Sequence, residues 1–118
     1  MSIHDFLISG LEGDIIRVLA MFGGTLWKEE IINEVSAMNR SLGYIDTNMN
    51  FDEAISKLEK AGIVITDRRI KGDLRKEDVY DVLVRLVEYD MVLSIVSQDE
   101  KFLNYQGIRR KLFEESLK

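Results

Sequence analysis

The sequence predicts an α+β fold that is mainly helical, and three observations carry that prediction. Apolar residues recur at helical spacing in stretches that end at glycines, most clearly between Asn50 and Gly62. A β-branched run, Ile63-Val64-Ile65-Thr66, follows Gly62 directly, as a strand would. Residues 79–87 hold four valines just after a turn-forming Lys71-Gly72-Asp73. The length, 118 residues, is that of one ordinary domain. At 46% apolar and 31% charged, the chain is globular in composition rather than disordered.

The elements follow in order. Phe6, Leu7 and Ile8 can pack as a short first helix, although Gly10 and Gly13 loosen the segment behind it. Ile15, Ile16, Val18, Leu19 and Phe22 make one face of a helix over 14–22, stopped by Gly23-Gly24. Thr25-Leu26 is a short extended piece. A second long helix over 27–38 presents Ile31, Ile32, Val35 and Met38. Residues 39–47, with Gly43, connect it to a third over 51–61. Here Asn50 is a good N-cap, Glu53 completes a capping-box spacing, and Gly62 stands at the C′ position. Its inward stripe is Phe51, Ala54, Ile55 and Leu58.

Residues 63–66 then read as a strand and 69–78 as a turn. Residues 79–87 fit either a helix (Val79, Val82, Leu83, Leu86) or a strand face (Tyr80, Val82, Val84, Leu86), and the valine content favours a strand returning on 63–68. The apolar stretch 91–96 is of undetermined type. Ser97-Gln98-Asp99-Glu100 repeats the capping-box spacing, so the spacing predicts a C-terminal helix from Gln98 towards Leu117. Helix, short strand, helix, helix, strand, basic turn, strand and terminal helix is the order of a winged helix-turn-helix with an added C-terminal helix. The expected division is a winged-helix domain over 1–96, best supported over 14–86, and a C-terminal helix over 97–118.

The segment Phe51-Asp52-Glu53-Ala54-Ile55-Ser56-Lys57-Leu58-Glu59-Lys60-Ala61-Gly62-Ile63-Val64 resembles the recognition-helix and wing-strand junction of small prokaryotic and archaeal regulators of the PadR and MarR kinds. Gly72, Arg75-Lys76 and Val79-Tyr80 are similar to the basic wing and Tyr-containing strand of the PadR-like group. The resemblance implies that the helix over 51–61 enters the DNA major groove while the wing follows adjacent backbone. It also implies a dimerising role for the C-terminal helix.

Charge gives a mixed account of that expectation. Net charge is −5, which as a whole repels nucleic acid and acidic membranes. Residues 63–76 nevertheless hold Arg68, Arg69, Lys71, Arg75 and Lys76 against Asp67 and Asp73, a local +3 that leaves −8 on the rest. Each of these cations can neutralise a phosphate. The third helix is poorer: its outward set, Asp52, Glu53, Ser56, Lys57, Glu59 and Lys60, sums to −1 and contains no arginine. Asn48, Asn50, Ser56, Lys57 and Lys60 are its candidates for base or phosphate contact.

The absence of cysteine removes disulfides, thiolate zinc sites, iron–sulfur clusters and thiol nucleophiles. The single histidine, His4, has no companion for a triad or a multi-histidine metal site. Acidic pairs such as Glu29-Glu30, Asp52-Glu53 and Glu114-Glu115 are neighbours in sequence, so on a helix they do not face one site. No phosphate-binding glycine loop or His-Glu-x-x-His pattern occurs. The expectation is therefore a non-enzymatic cytoplasmic protein without cofactor or membrane segment, with duplex DNA as its partner and a second copy joined through Phe102, Tyr105, Leu112 and Phe113. Trp27 is expected in the core or as a packing lid. The alternative expectation is a winged-helix module that binds protein instead of DNA.

Overall fold

The computed structural model describes residues 2–8, 10–45, 49–71 and 79–117, with the side chains of Lys71 and Val79 outside that set. Six helices and three strands run in the order α1 (Ile3–Leu7), α2 (Leu11–Met21), β1 (Thr25–Trp27), α3 (Lys28–Leu42), α4 (Phe51–Lys60), β2 (Val64–Lys71), β3 (Val79–Leu86), α5 (Tyr89–Val96) and α6 (Glu100–Ser116) among the described residues. The fold is α+β and mostly helical, with one small antiparallel sheet in the strand order β1-β3-β2. No helix among the described residues is long and apolar enough to cross a membrane.

Helix α2 is the centre of the core. Every residue from Leu11 to Ala20 is buried, with α1, α3, α4 and α5 packed around it. It begins earlier than the sequence predicts, because Gly13 serves packing rather than breaking the helix. A Cβ on Gly13 would stand 2.7 Å from the Phe6 carbonyl oxygen and 2.9 Å from that of Leu7, so the end of α1 can sit directly on α2 only above a glycine. Ile3, Phe6 and Leu7 are buried in that contact, whereas Ile8 points to solvent.

A helix buried all round must satisfy whatever charge it carries. Arg17 Nη1 donates to Asp14 Oδ1 at 2.8 Å and Nη2 donates to the Leu7 carbonyl at 2.6 Å. Its Nε and Nη2 also donate to Asp99 Oδ2 and Oδ1, at 2.7 and 3.2 Å. Asn39 Nδ2 donates to Asp14 Oδ2 at 3.0 Å, and Lys101 Nζ lies 2.8 Å from Asp14 Oδ1. Two cations and two carboxylates balance, and together they tie α1, α2, α3 and the start of α6 into one unit. Burial pushes the Asp99 carboxyl upward, but the Arg17 hydrogen bonds, the Phe102 N–H and the charges of Arg17 and Lys101 outweigh it and hold the group below its usual range.

Helix α3 buries Ile31, Val35 and Met38 as its periodicity predicts, yet runs on to Leu42 before Gly43 ends it in the left-handed region at φ 79°. The connection to α4 is therefore 43–50. Helix α4 matches expectation closely: Asn50 Oδ1 accepts from the Glu53 N–H at 3.1 Å, and Phe51, Ala54, Ile55 and Leu58 are buried.

The ambiguity of 79–87 resolves as a strand, because β3 lies between two others and finds partners on both edges. Leu26 pairs with Val84 on one side, and Val64 with Leu86 through Lys71 with Val79 on the other. Residues 91–96 belong to helix α5, which buries Val92 and Val96 one turn apart. The last helix starts two residues later than the Ser97 capping box predicts. Ser97 is consumed in closing α5, its Oγ donating to the Ser94 carbonyl at 2.8 Å, and Asp99 caps α6 instead by accepting from the Phe102 N–H at 2.9 Å.

Candidate nucleic-acid interface

Of the expected DNA-contacting residues, Asn50, Ser56, Lys57, Lys60, Arg68 and Arg69 fall on described side chains. Asn48, Arg75, Lys76 and the side chain of Lys71 lie outside the described residues, as do residues 72–78 of the expected turn.

The exposed side of α4 is largely occupied by contacts within the protein. Lys28 Nζ lies 2.6 Å from Asp52 Oδ1. Glu53 accepts from Asn50 Nδ2 at 3.0 Å and sits 3.3 Å from Lys57 Nζ. Glu59 accepts from the Thr66 N–H at 3.1 Å and from the Thr66 hydroxyl, fastening α4 to β2. All three acids of α4 thus serve caps, ion pairs or a strand contact. Asn50 acts as the N-cap, which competes with the base-reading role expected of it. Lys57 is shared between Glu53 and the buried Glu12, 3.7 Å away. Lys60 and the half-buried Ser56 complete the surface.

The strand pair divides the basic residues in a way sequence order conceals. Successive strand residues point to opposite faces. Thr66, Arg68 and Ile70 of β2 share one face with their partners Val84, Val82 and Tyr80. The same face is buried at Val64, Val84 and Leu86, and Thr66 bonds Glu59 across it, so this is the side on which α4 lies. Beyond the core it carries Arg68, whose guanidinium sits 5.4 Å from the centre of the exposed Tyr80 ring. Arg69 points the other way. Its Nε donates to Asp67 Oδ2 at 2.7 Å, beside a groove lined by Ile65, Leu83 and Arg85. Arg68 and Arg69, adjacent in sequence and each expected to neutralise a phosphate, thus stand apart: one on the α4 side of the hairpin and its neighbour on the opposite side.

Sequence reading did not single out Lys28 or Glu12 as parts of this surface, and it placed Tyr80 on the expected wing strand without coupling it to Arg68. Alternation about the strand could have coupled Tyr80 to Arg68 once a register was assumed. Lys28 and Glu12 lie on other helices and carry no such signal. Trp27 is half-buried at the end of β1, its backbone N–H donating to Glu30 Oε1 at 2.9 Å.

The expected self-association residues also divide. Phe102 and Tyr105 belong to the chain's own core, with exposures of 2% and 4%, and are unavailable to a partner. Leu112 and Phe113 are 59% and 64% exposed. The physical reason is that the first turns of α6 pack against α3, while its last turns extend past it. Among the described residues, no group of three or more His, Cys, Asp or Glu side chains could hold a metal ion.

No protein family, curated protein or solved structure matches the chain.

Proposed function

We propose that the fold is a winged helix-turn-helix and that the protein is a DNA-binding transcription regulator, with α4 as the recognition helix and the β2–β3 hairpin as the wing. The order α2, β1, α3, α4, β2, β3, with β1 on the outer edge of β3, supports the fold. The observation that carries the function is Arg68, stacked over Tyr80 on the α4 side of the hairpin and beyond the core. A guanidinium held in that position, with Lys60 on the adjacent helix, suits phosphate along one strand of a duplex while α4 enters the groove. The protein acts by binding and carries out no reaction.

Fluorescence anisotropy with duplex DNA of random sequence, at several salt concentrations, tests the reading. Binding should weaken with a slope of about 0.9 in log K per log salt for each phosphate neutralised. Absence of binding at the lowest salt would overturn it.

One observation favours a second reading, an interaction module for a protein partner. The exposed residues of α4 sum to −1, and Lys57 is already held by Glu12 and Glu53. A surface of that kind suits a basic protein partner better than DNA. Retention of a basic partner by the wild-type chain and its loss on Asp52→Lys, with no duplex binding, would select this alternative.

A further inference from the structure

We propose that the outer edge of β2 takes an extended, acidic segment of a protein partner as a fourth strand of the sheet. The strand order β1-β3-β2 leaves β2, eight residues long, on an edge, whereas the other edge is the three-residue β1. The direction of each backbone group follows from the ladder. Val87 N–H donates to the Ile63 carbonyl, one step before the Val64–Leu86 pair. Bonded and non-bonded positions alternate in an antiparallel pair, so Ile65, Asp67, Arg69 and Lys71 turn their N–H and C=O groups to β3. Thr66, Arg68 and Ile70 turn theirs outward. The Thr66 N–H agrees, since it donates away from the sheet to Glu59 at 3.1 Å. Glu59 therefore closes the edge at Thr66. Beyond it, among the described residues, the N–H and C=O groups of Arg68 and Ile70 meet no partner on that side.

A row of alternating donors and acceptors is a template for another strand. Nucleic acid suits it poorly, because phosphate oxygens accept from the two N–H groups but are repelled by the carbonyls between them. A strand satisfies both. Charge then selects which strand. Arg68 flanks the edge on the α4 side and Arg69 on the other, and both are exposed, while the Asp67 carboxylate is held by Arg69 Nε. Residues directly opposite on paired strands share a face, with Cβ atoms about 5 Å apart. The partner residues facing Arg68 and Arg69 are therefore acidic, one on each face, and the one facing the 51% exposed Ile70 is apolar. A second copy is excluded by the same pairing. Laid antiparallel on itself, β2 sets Arg68 against Arg68 when centred there, and Arg69 against Arg69 when centred one residue on. The pairing is independent of DNA binding, although Arg68 is common to both.

The probe is the peptide Thr-Val-Glu-Glu-Val-Thr, blocked at both ends and titrated into the isotope-labelled full chain, with amide shifts and amide exchange read by NMR. Laid antiparallel with its glutamates opposite Arg69 and Arg68, it bonds to Ile70 and Arg68 through its second and fourth residues. The Arg68 and Ile70 amides should shift and gain exchange protection, while those of Asp67 and Arg69, already in the ladder, gain none. N-methylation of the second and fourth peptide residues should abolish binding, and N-methylation of the third and fifth should leave it. Lysines in place of the two glutamates should also abolish it, and Arg68→Glu should weaken it about tenfold. Ile70→Pro deletes an outward N–H and no bond to β3, a change an edge strand accepts, and should weaken binding with an unchanged circular dichroism spectrum. If that variant does not fold, the N-methylated peptides, which leave the protein intact, still decide. No shift at saturating peptide, equal effects of the two N-methylation patterns, equal binding of the lysine peptide, or Arg68 and Ile70 amides already protected in the chain alone would each overturn the proposal.

Discussion

Arg17 and Asp99 meet as a two-pronged pair, Nε to Oδ2 at 2.7 Å and Nη2 to Oδ1 at 3.2 Å, across 82 residues of sequence. Asp99 is at the same time the N-cap of α6. The pair is thus the joint by which the terminal helix is fixed to the central one. Arg17 is buried and also holds the buried Asp14, and removing one member of such a network leaves the others charged and uncompensated, so Arg17→Met should lower unfolding free energy by about 3–5 kcal/mol. Asp99→Ala also removes the cap, a further loss of about 1 kcal/mol. Urea unfolding followed by circular dichroism measures both. An unchanged midpoint for Arg17→Met would show that the pair does not fix the helix.

The same joint makes stability depend on pH. Asp99 is held below the ordinary carboxylate value in the folded state. Its contribution is therefore present above the unfolded value, near pH 3.9, and is lost as pH falls from there through its lower folded value. The urea midpoint should drop across that acid range, and Asp99→Asn should drop less steeply than the wild type. Parallel profiles for the two would place the acid sensitivity elsewhere.

Arg68 and Arg69 should separate in DNA binding although they are adjacent. Arg68→Ala is expected to weaken binding to all duplexes and to reduce the salt slope by about 1, the signature of one lost phosphate contact. Arg69→Ala, on the far face and paired with Asp67, should leave affinity and slope unchanged. Equal losses for the two would mean that DNA approaches the hairpin differently.

Gly13 should reject alanine. In an exposed helix Gly→Ala is stabilising by about 1 kcal/mol, but here the new Cβ meets the Phe6 and Leu7 carbonyls at 2.7 and 2.9 Å. The end of α1 must move, and Gly13→Ala should destabilise by about 1–3 kcal/mol. A raised thermal midpoint would contradict the close approach.

Asn50→Ala should cost about 1 kcal/mol through loss of the α4 cap, and Asn50→Ser, which keeps a capping oxygen without adding charge beside Glu53, should retain most of the stability. If Asn50 acts only as a cap, Asn50→Ser also leaves DNA affinity unchanged. A loss of affinity in this variant would restore Asn50 to the list of base-reading residues.

Much of the fold was legible in the chain because its signals are local. The stripe Phe51, Ala54, Ile55, Leu58 between Asn50 and Gly62 defines α4 by periodicity and capping alone, and the β-branched run after Gly62 defines the start of β2. The basic residues at 68 and 69 were legible as charge, though not as two opposed faces.

Sequence by itself determined the mainly helical α+β class, the helices α2, α3 and α4 and the start of β2, since spacing, caps and composition are properties of neighbouring residues, while 91–96, which form α5, had no assigned type. Tertiary structure decided what depends on distant partners. Residues 79–86 became a strand because β1 and β2 offered it two edges. Ser97 lost the cap of α6 because it was needed to close α5. Phe102 and Tyr105 went into the core while Leu112 and Phe113 stayed out, because α3 gives α6 a surface for only part of its length. Burial is decided by what lies opposite a side chain, and that is a property of the packed molecule, not of the stripe on which the side chain sits.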